Sequence, residues 1–116
     1  MMDAALVFTY TRPVPGREAK ALSSFMEALS FFGKLASDGQ CGEPMIFSGP
    51  SGKGMFVVPG DRDKLNEILR GEDFTWLFLK TSFTTPDIGY EMFAFGDAVT
   101  ELFTTWSKAG TELAYM

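Results

Sequence analysis

Four short stretches of this chain alternate side chains along the backbone with apolar residues on both alternate sets, and between them apolar residues recur every three or four positions. The two-residue period predicts strands over residues 4–12, 43–48, 54–59 and 87–95. In the first, Leu6, Phe8 and Tyr10 fall on one side and Ala5, Val7 and Thr9 on the other, so both sides are mostly apolar. Pro13-Val14-Pro15-Gly16 ends it, because proline cannot donate to a ladder, and Gly16 can open a helix. That helix is predicted over residues 17–37. Leu22, Phe25, Met26, Leu29, Phe32 and Ala36 take one side, Glu18, Lys20, Ser23, Glu27, Ser30 and Lys34 the other, and Gly39 is its stop.

The second and third strands flank Gly49-Pro50-Ser51-Gly52, which has the chemistry of a hairpin turn. Asp61 follows as an N-cap for a helix carrying Leu65, Ile68 and Leu69, with Gly71 as its stop. Phe74, Leu77, Phe78 and Thr81 have helical spacing, and the threonine-rich run 80–85 predicts fraying into a loop before Pro86. The fourth strand ends at Gly96, and Asp97 caps a last helix with Val99, Leu102, Phe103, Trp106 and Leu113 on one side.

The order strand, helix, strand, strand, helix, strand is that of an α+β, ferredoxin-like domain: one antiparallel four-stranded sheet with its helices on one face. Residues 1–116 read as a single such domain with an extra C-terminal helix. The other sheet face would carry apolar side chains, more than a soluble monomer leaves exposed. The last helix could cover it in part. A symmetric partner is the commoner solution, so a homodimer through the open sheet face is expected. Over residues 4–95 the chain resembles the dimeric α+β barrel superfamily, which includes the antibiotic-biosynthesis monooxygenase-like proteins. The resemblance rests on element order, element lengths and the two-faced strands. It implies facing sheets that form a barrel, and a cavity between each sheet and its helices. Members include cofactor-free oxygenases, haem-handling enzymes, muconolactone-type isomerases and stress-response proteins.

The composition removes several functions. A formal charge of −5, from 10 basic and 15 acidic residues, leaves no basic cluster for nucleic acid. No window approaches the roughly 20 apolar residues of a membrane span. The start, Met1-Met2-Asp3, has an acid where a signal peptide needs basic residues, and Cys41 is alone, so a bacterial-type cytoplasm is expected. With no histidine and one cysteine, no metal site, cofactor or histidine-dependent nucleophile is expected. Residues 49–54 read Gly-Pro-Ser-Gly-Lys-Gly, but Phe47 stands where a phosphate loop needs its first glycine and Gly54 where it needs a hydroxyl, so they read as a hairpin tip.

Four residues remain as site candidates. Glu91 is the one charged residue in the middle of the fourth strand; it is read either as a general acid or base or as an edge charge paired with Arg12 or Lys80. Tyr10, Trp76 and Tyr90 each join an apolar body to a polar handle; they could line a ligand cavity, or simply pack a core in a chain with 15% aromatics. Trp106 reads as packing, and Phe31-Phe32-Gly33 as a close helix-to-sheet contact. Three functional readings follow: a dimeric module binding a small apolar or aromatic ligand between sheet and helices; a cofactor-independent monooxygenase or isomerase with Glu91 as base and Tyr10, Tyr90 or Trp76 positioning the substrate; and a structural or regulatory partner protein.

Overall fold

The computed structural model describes residues 2–114. Its elements are β1 (Ala4–Tyr10), α1 (Glu18–Ser37), β2 (Met45–Ser48), β3 (Gly54–Gly60), α2 (Arg62–Arg70), α3 (Glu72–Ser82), β4 (Gly89–Ala94) and α4 (Asp97–Ala114). The strands form one antiparallel sheet in the order β2-β3-β1-β4. This is the ferredoxin-like order anticipated from the pattern.

The register assigns every strand residue to a face. Leu6 lies between Val58 and Met92, and Phe8 between Phe56 and Tyr90, so these rows face the helices. Val7 lies between Val57 and Glu91, with Met45 beyond Val57, and that row faces away from them. Phe8 is the hub of the core: its ring sits 5.5–6.0 Å from those of Phe32, Phe56, Phe74 and Tyr90. Leu6, Val58, Leu65 and Phe32 are fully buried around it.

The predicted boundaries shift for local reasons. β1 stops two residues early because the backbone N–H and hydroxyl of Thr11 both donate to the Asp87 carboxylate instead of continuing a ladder. The same contact removes Asp87 from β4. α1 ends on Gly39 at φ 77°, where Gln40 donates to Leu35 O and Gly39 to Ala36 O, the paired bonds of a left-handed C-terminal cap. Asp61 caps α2 by accepting from Lys64 N at 3.1 Å. Gly71 ends α2 in extended rather than left-handed backbone and starts α3 directly; a Cβ there would stand 3.2 Å from Ile68 O. The hairpin tip closes through Gly49 N to Lys53 O at 2.8 Å, with Gly52 at φ 96°.

Three packing expectations need correction. Leu22 and Met26 are more than half exposed, because the stripe of α1 that reaches the sheet runs through Ser24, Phe25, Leu29 and Phe32. Nothing lies within 4 Å of a Cβ built on Gly33, so the close contact belongs to Phe32, with Phe31 packed beside it, and not to the glycine. α4, which begins at Asp97 itself, meets its own sheet only through its first turn, where Ala98 and Val99 are partly buried beside β4. Every residue from 100 to 114 is exposed, Trp106 at 69%.

Candidate functional site

The helix face of the sheet carries an aromatic-walled cleft at the end where β1 finishes. α1 contributes Phe25 and Ala28, α3 contributes Leu77, Phe78 and Thr81, and the sheet contributes Phe8, Tyr10 and Phe56. The enclosed inner part is small, about 40 Å³, and almost wholly apolar. It shares Tyr10, Phe25, Thr81 and Ile88 with an outer mouth of about 290 Å³, where Glu18, Leu22, Ser48 and Thr85 supply the rim. The outer volume lies at the lower end for small-molecule sites.

Tyr10 is where the apolar interior meets that rim. It pairs with Gly54 across the β1–β3 ladder, and a Cβ on Gly54 would stand 2.6 Å from the Tyr10 hydroxyl and 2.8 Å from its ring carbons. Glycine at 54 is thus what lets the ring lie flat across β3 toward β2, where the hydroxyl meets the Ser48 side chain. Burial pushes the Tyr10 phenol above its usual range, and the nearby Ser48 hydroxyl offsets only part of that. At neutral pH Tyr10 is therefore a neutral donor and acceptor.

The other polar groups are partly committed. Thr81 Oγ1 donates to Leu77 O at 2.8 Å. Glu18 is held below the usual carboxylate range by backbone N–H donors, its own and that of Gly16, the latter at 3.1 Å. An ionised carboxylate at the mouth favours neutral ligands over anions.

The structure separates the four sequence-derived candidates. Tyr10 lines the cleft. Tyr90 lies on the same sheet face but is built into the wall behind it, its ring 5.1 Å from Phe78 and 5.5 Å from both Phe8 and Phe74. Trp76 stands on the outer side of α3, 68% exposed, beside Glu27, Ser30 and Glu72. Glu91 is on the opposite face of the sheet, opposite Val7, so no one cleft holds it together with the tyrosines. Nor does it pair as anticipated: Lys80 binds Glu27 at 2.7 Å and Arg12 donates to Ser51 O. Sequence reasoning assigned Phe25, Leu77 and Phe78 to the core and passed over Ser48 and Glu18. The hairpin register, which places Ser48 against Gly54 and thus beside Tyr10, was the signal available.

The far face of the sheet is open. Met45, Phe47, Met55, Phe93 and Phe95 are each 38–51% exposed on it. A wide saddle of about 580 Å³ at its hairpin end, between Phe47, Lys53, Met55 and Asp87, is part of this surface. Among the described residues, no three His, Cys, Asp or Glu side chains converge to hold a metal ion, and no helix is long and apolar enough to cross a membrane.

No protein-family model and no curated protein sequence matches the chain. Solved structures share its fold. A Bacteroides thetaiotaomicron protein of unknown function, termed a possible oxidoreductase, superposes with a TM-score of 0.65 at 13% identity, over 82% of this chain and 100% of its own. A Pseudomonas aeruginosa protein gives 0.60 at 16% identity, over 83% and 96%. A second Bacteroides thetaiotaomicron protein, provisionally named an antibiotic biosynthesis monooxygenase, gives 0.60 at 8% identity, over 81% and 89%. At these identities the likeness is one of fold.

Proposed function

We propose that this protein is a homodimeric member of the dimeric α+β barrel superfamily that binds a small, neutral aromatic molecule in the cleft between its sheet and helices α1 and α3. The observation that carries this reading is the cleft itself: an apolar, phenylalanine-lined interior that ends at a neutral tyrosine hydroxyl and opens to a polar rim. A ring would insert among Phe25, Phe56 and Phe78, and a hydroxyl or carbonyl on it would meet Tyr10. The inner part must widen to admit a ring, since a cavity that holds benzene measures roughly 150 Å³. Leu77 and Phe78 line it from the middle of α3, so widening it means displacing these side chains.

The test uses 2-naphthol as probe, with Ala28→Leu filling the inner cleft. Binding to the parent chain and a loss of about tenfold or more in the variant are expected, at one to two buried methylene equivalents per tenfold. Equal affinity for both chains contradicts the assignment. 2-Naphthoate should bind more weakly than 2-naphthol, because its carboxylate must approach Glu18.

The names of the fold neighbours favour a second reading, a cofactor-independent oxygenase or isomerase with Glu91 as general base. Its substrate would sit on the open face, between two facing sheets, and not beside Tyr10. Glu91→Gln decides it: turnover of a processed substrate that survives the substitution removes the carboxylate from the chemistry.

A further inference from the structure

Helix α4 has one apolar side that, beyond its first turn, rests on nothing among the described residues of its own chain. Val99, Leu102, Trp106, Ala109 and Leu113 follow one another at intervals of four and three residues, with Phe103 stacked beside Trp106 at a centroid distance of 6.2 Å. A seam with that spacing is made to face another protein element. Yet Leu102 and Phe103 are 54% exposed and Leu113 71%. The helix leaves the body after its first turn, which gives the chain a radius of gyration of 16.6 Å where about 13 Å is usual for a compact domain of this length. The solved relatives are covered almost whole while 81–83% of this chain is matched, so a stretch about as long as α4 lies outside the shared fold.

The chemistry of the helix narrows what covers it. Its other side presents Thr100, Thr104, Ser107 and Thr111, so it cannot be buried on two sides at once. Its charged residues are Asp97, Glu101, Glu112 and a single cation, Lys108, a balance that anionic lipid would repel. A protein surface remains, and this chain supplies one. Helix α4 begins two residues after Phe95 and its seam four, at the margin of the open sheet face, so the two uncovered apolar surfaces adjoin.

We infer that α4 is an arm exchanged between two copies of the chain: its seam packs against the second copy beside the open sheet face, with the threonine side outward. This rests on the homodimer proposed above and adds the element that holds it. The four large side chains of the seam expose on the order of 500 Å² per copy. Covered reciprocally, they and the surfaces receiving them amount to roughly 2,000 Å², within the range of a stable dimer. A two-fold axis covers both arms with one kind of contact, as an isologous interface requires.

The full chain supplies the test, by sedimentation equilibrium and by the fluorescence of Trp106 in a Trp76→Phe background. The expected result is a dimer whose dissociation constant rises about a hundredfold or more in Leu102→Glu/Trp106→Glu, with unchanged far-ultraviolet circular dichroism, since both side chains are exposed in the monomer. Trp106 emission should move to shorter wavelength as concentration carries the chain from monomer to dimer. A dimer that Phe93→Glu breaks but Leu102→Glu/Trp106→Glu leaves intact, with Trp106 emission constant, overturns the arm and keeps the sheet-face dimer. A full chain that stays monomeric at high micromolar concentration overturns both.

Discussion

Gly54→Ala tests the construction of the cleft at a single atom. Gly54 has ordinary strand backbone, so alanine meets no conformational barrier there. By removing backbone freedom from the unfolded chain, the change should stabilise by about 0.4–1 kcal/mol if the side chain met no neighbour. It does meet one: the new Cβ would lie 2.6–2.8 Å from the Tyr10 hydroxyl and ring carbons, so the ring must swing outward. That movement draws the hydroxyl away from Ser48 and gives up the edge contact with Phe25 at 6.3 Å, together about 1–2 kcal/mol. The losses exceed the gain, for a net destabilisation of about 1 kcal/mol. In a Tyr10→Ala background the obstruction is gone and the same Gly54→Ala substitution should stabilise. Urea denaturation of the four chains gives a coupling of about 2 kcal/mol between the sites. Equal stabilisation by Gly54→Ala in both backgrounds would mean that Tyr10 does not lie across β3, and the account of the cleft mouth would fail with it.

Other expectations follow from the same geometry. Phe8→Ala should cost about 3–5 kcal/mol, because the ring contacts four other aromatic rings in the buried layer, and a loss below 1 kcal/mol in denaturant unfolding would contradict its place as hub. Lys80→Ala should change stability by less than about 0.5 kcal/mol despite the 2.7 Å contact with Glu27, since both side chains are roughly half exposed and the pair is screened by water; thermal unfolding checks it. Tyr10 should titrate above the ordinary 10.0 in carbon-detected tyrosine NMR. Because the folded state favours its protonated form, its contribution to stability is intact below the unfolded value and is lost as pH rises through the folded one; a Tyr10 that ionises below the ordinary value contradicts its burial.

The two-residue period was the strongest signal in the chain. It reflects a pleat that points Leu6 and Phe8 one way and Val7 the other whatever surrounds them, so the strands and the apolar character of both faces could be read directly, and the order of elements along the chain led from them to the fold. Which helix residues reach the sheet was less legible. Leu22, Phe25 and Met26 share a helical stripe, but only the tilt of α1 against the sheet decides that Phe25 enters the core and its neighbours line a rim or solvent. The candidate site was harder still. Tyr90 and Glu91 are adjacent in sequence, and the pleat alone sends them to opposite faces; grouping them in one site set aside the alternation that had identified the strand. Glu18 and Ser48 reach Tyr10 from two distant segments, and no local pattern announces such a meeting. For α4, the period was read correctly but the packing expected of Trp106 is not found on its own sheet, because amphipathicity shows that a helix needs a partner without saying where that partner lies.

The claim that matters most is that the cleft behind Tyr10 takes an aromatic ring, and a proton–nitrogen correlation titration of the full chain with 2-naphthol tests it most directly. Saturable shifts centred on Tyr10, Phe25, Phe78, Thr81 and Ile88 are the predicted result. Shifts confined to Phe47, Met55 and Val57 on the open face, or no saturable shift, would contradict the account.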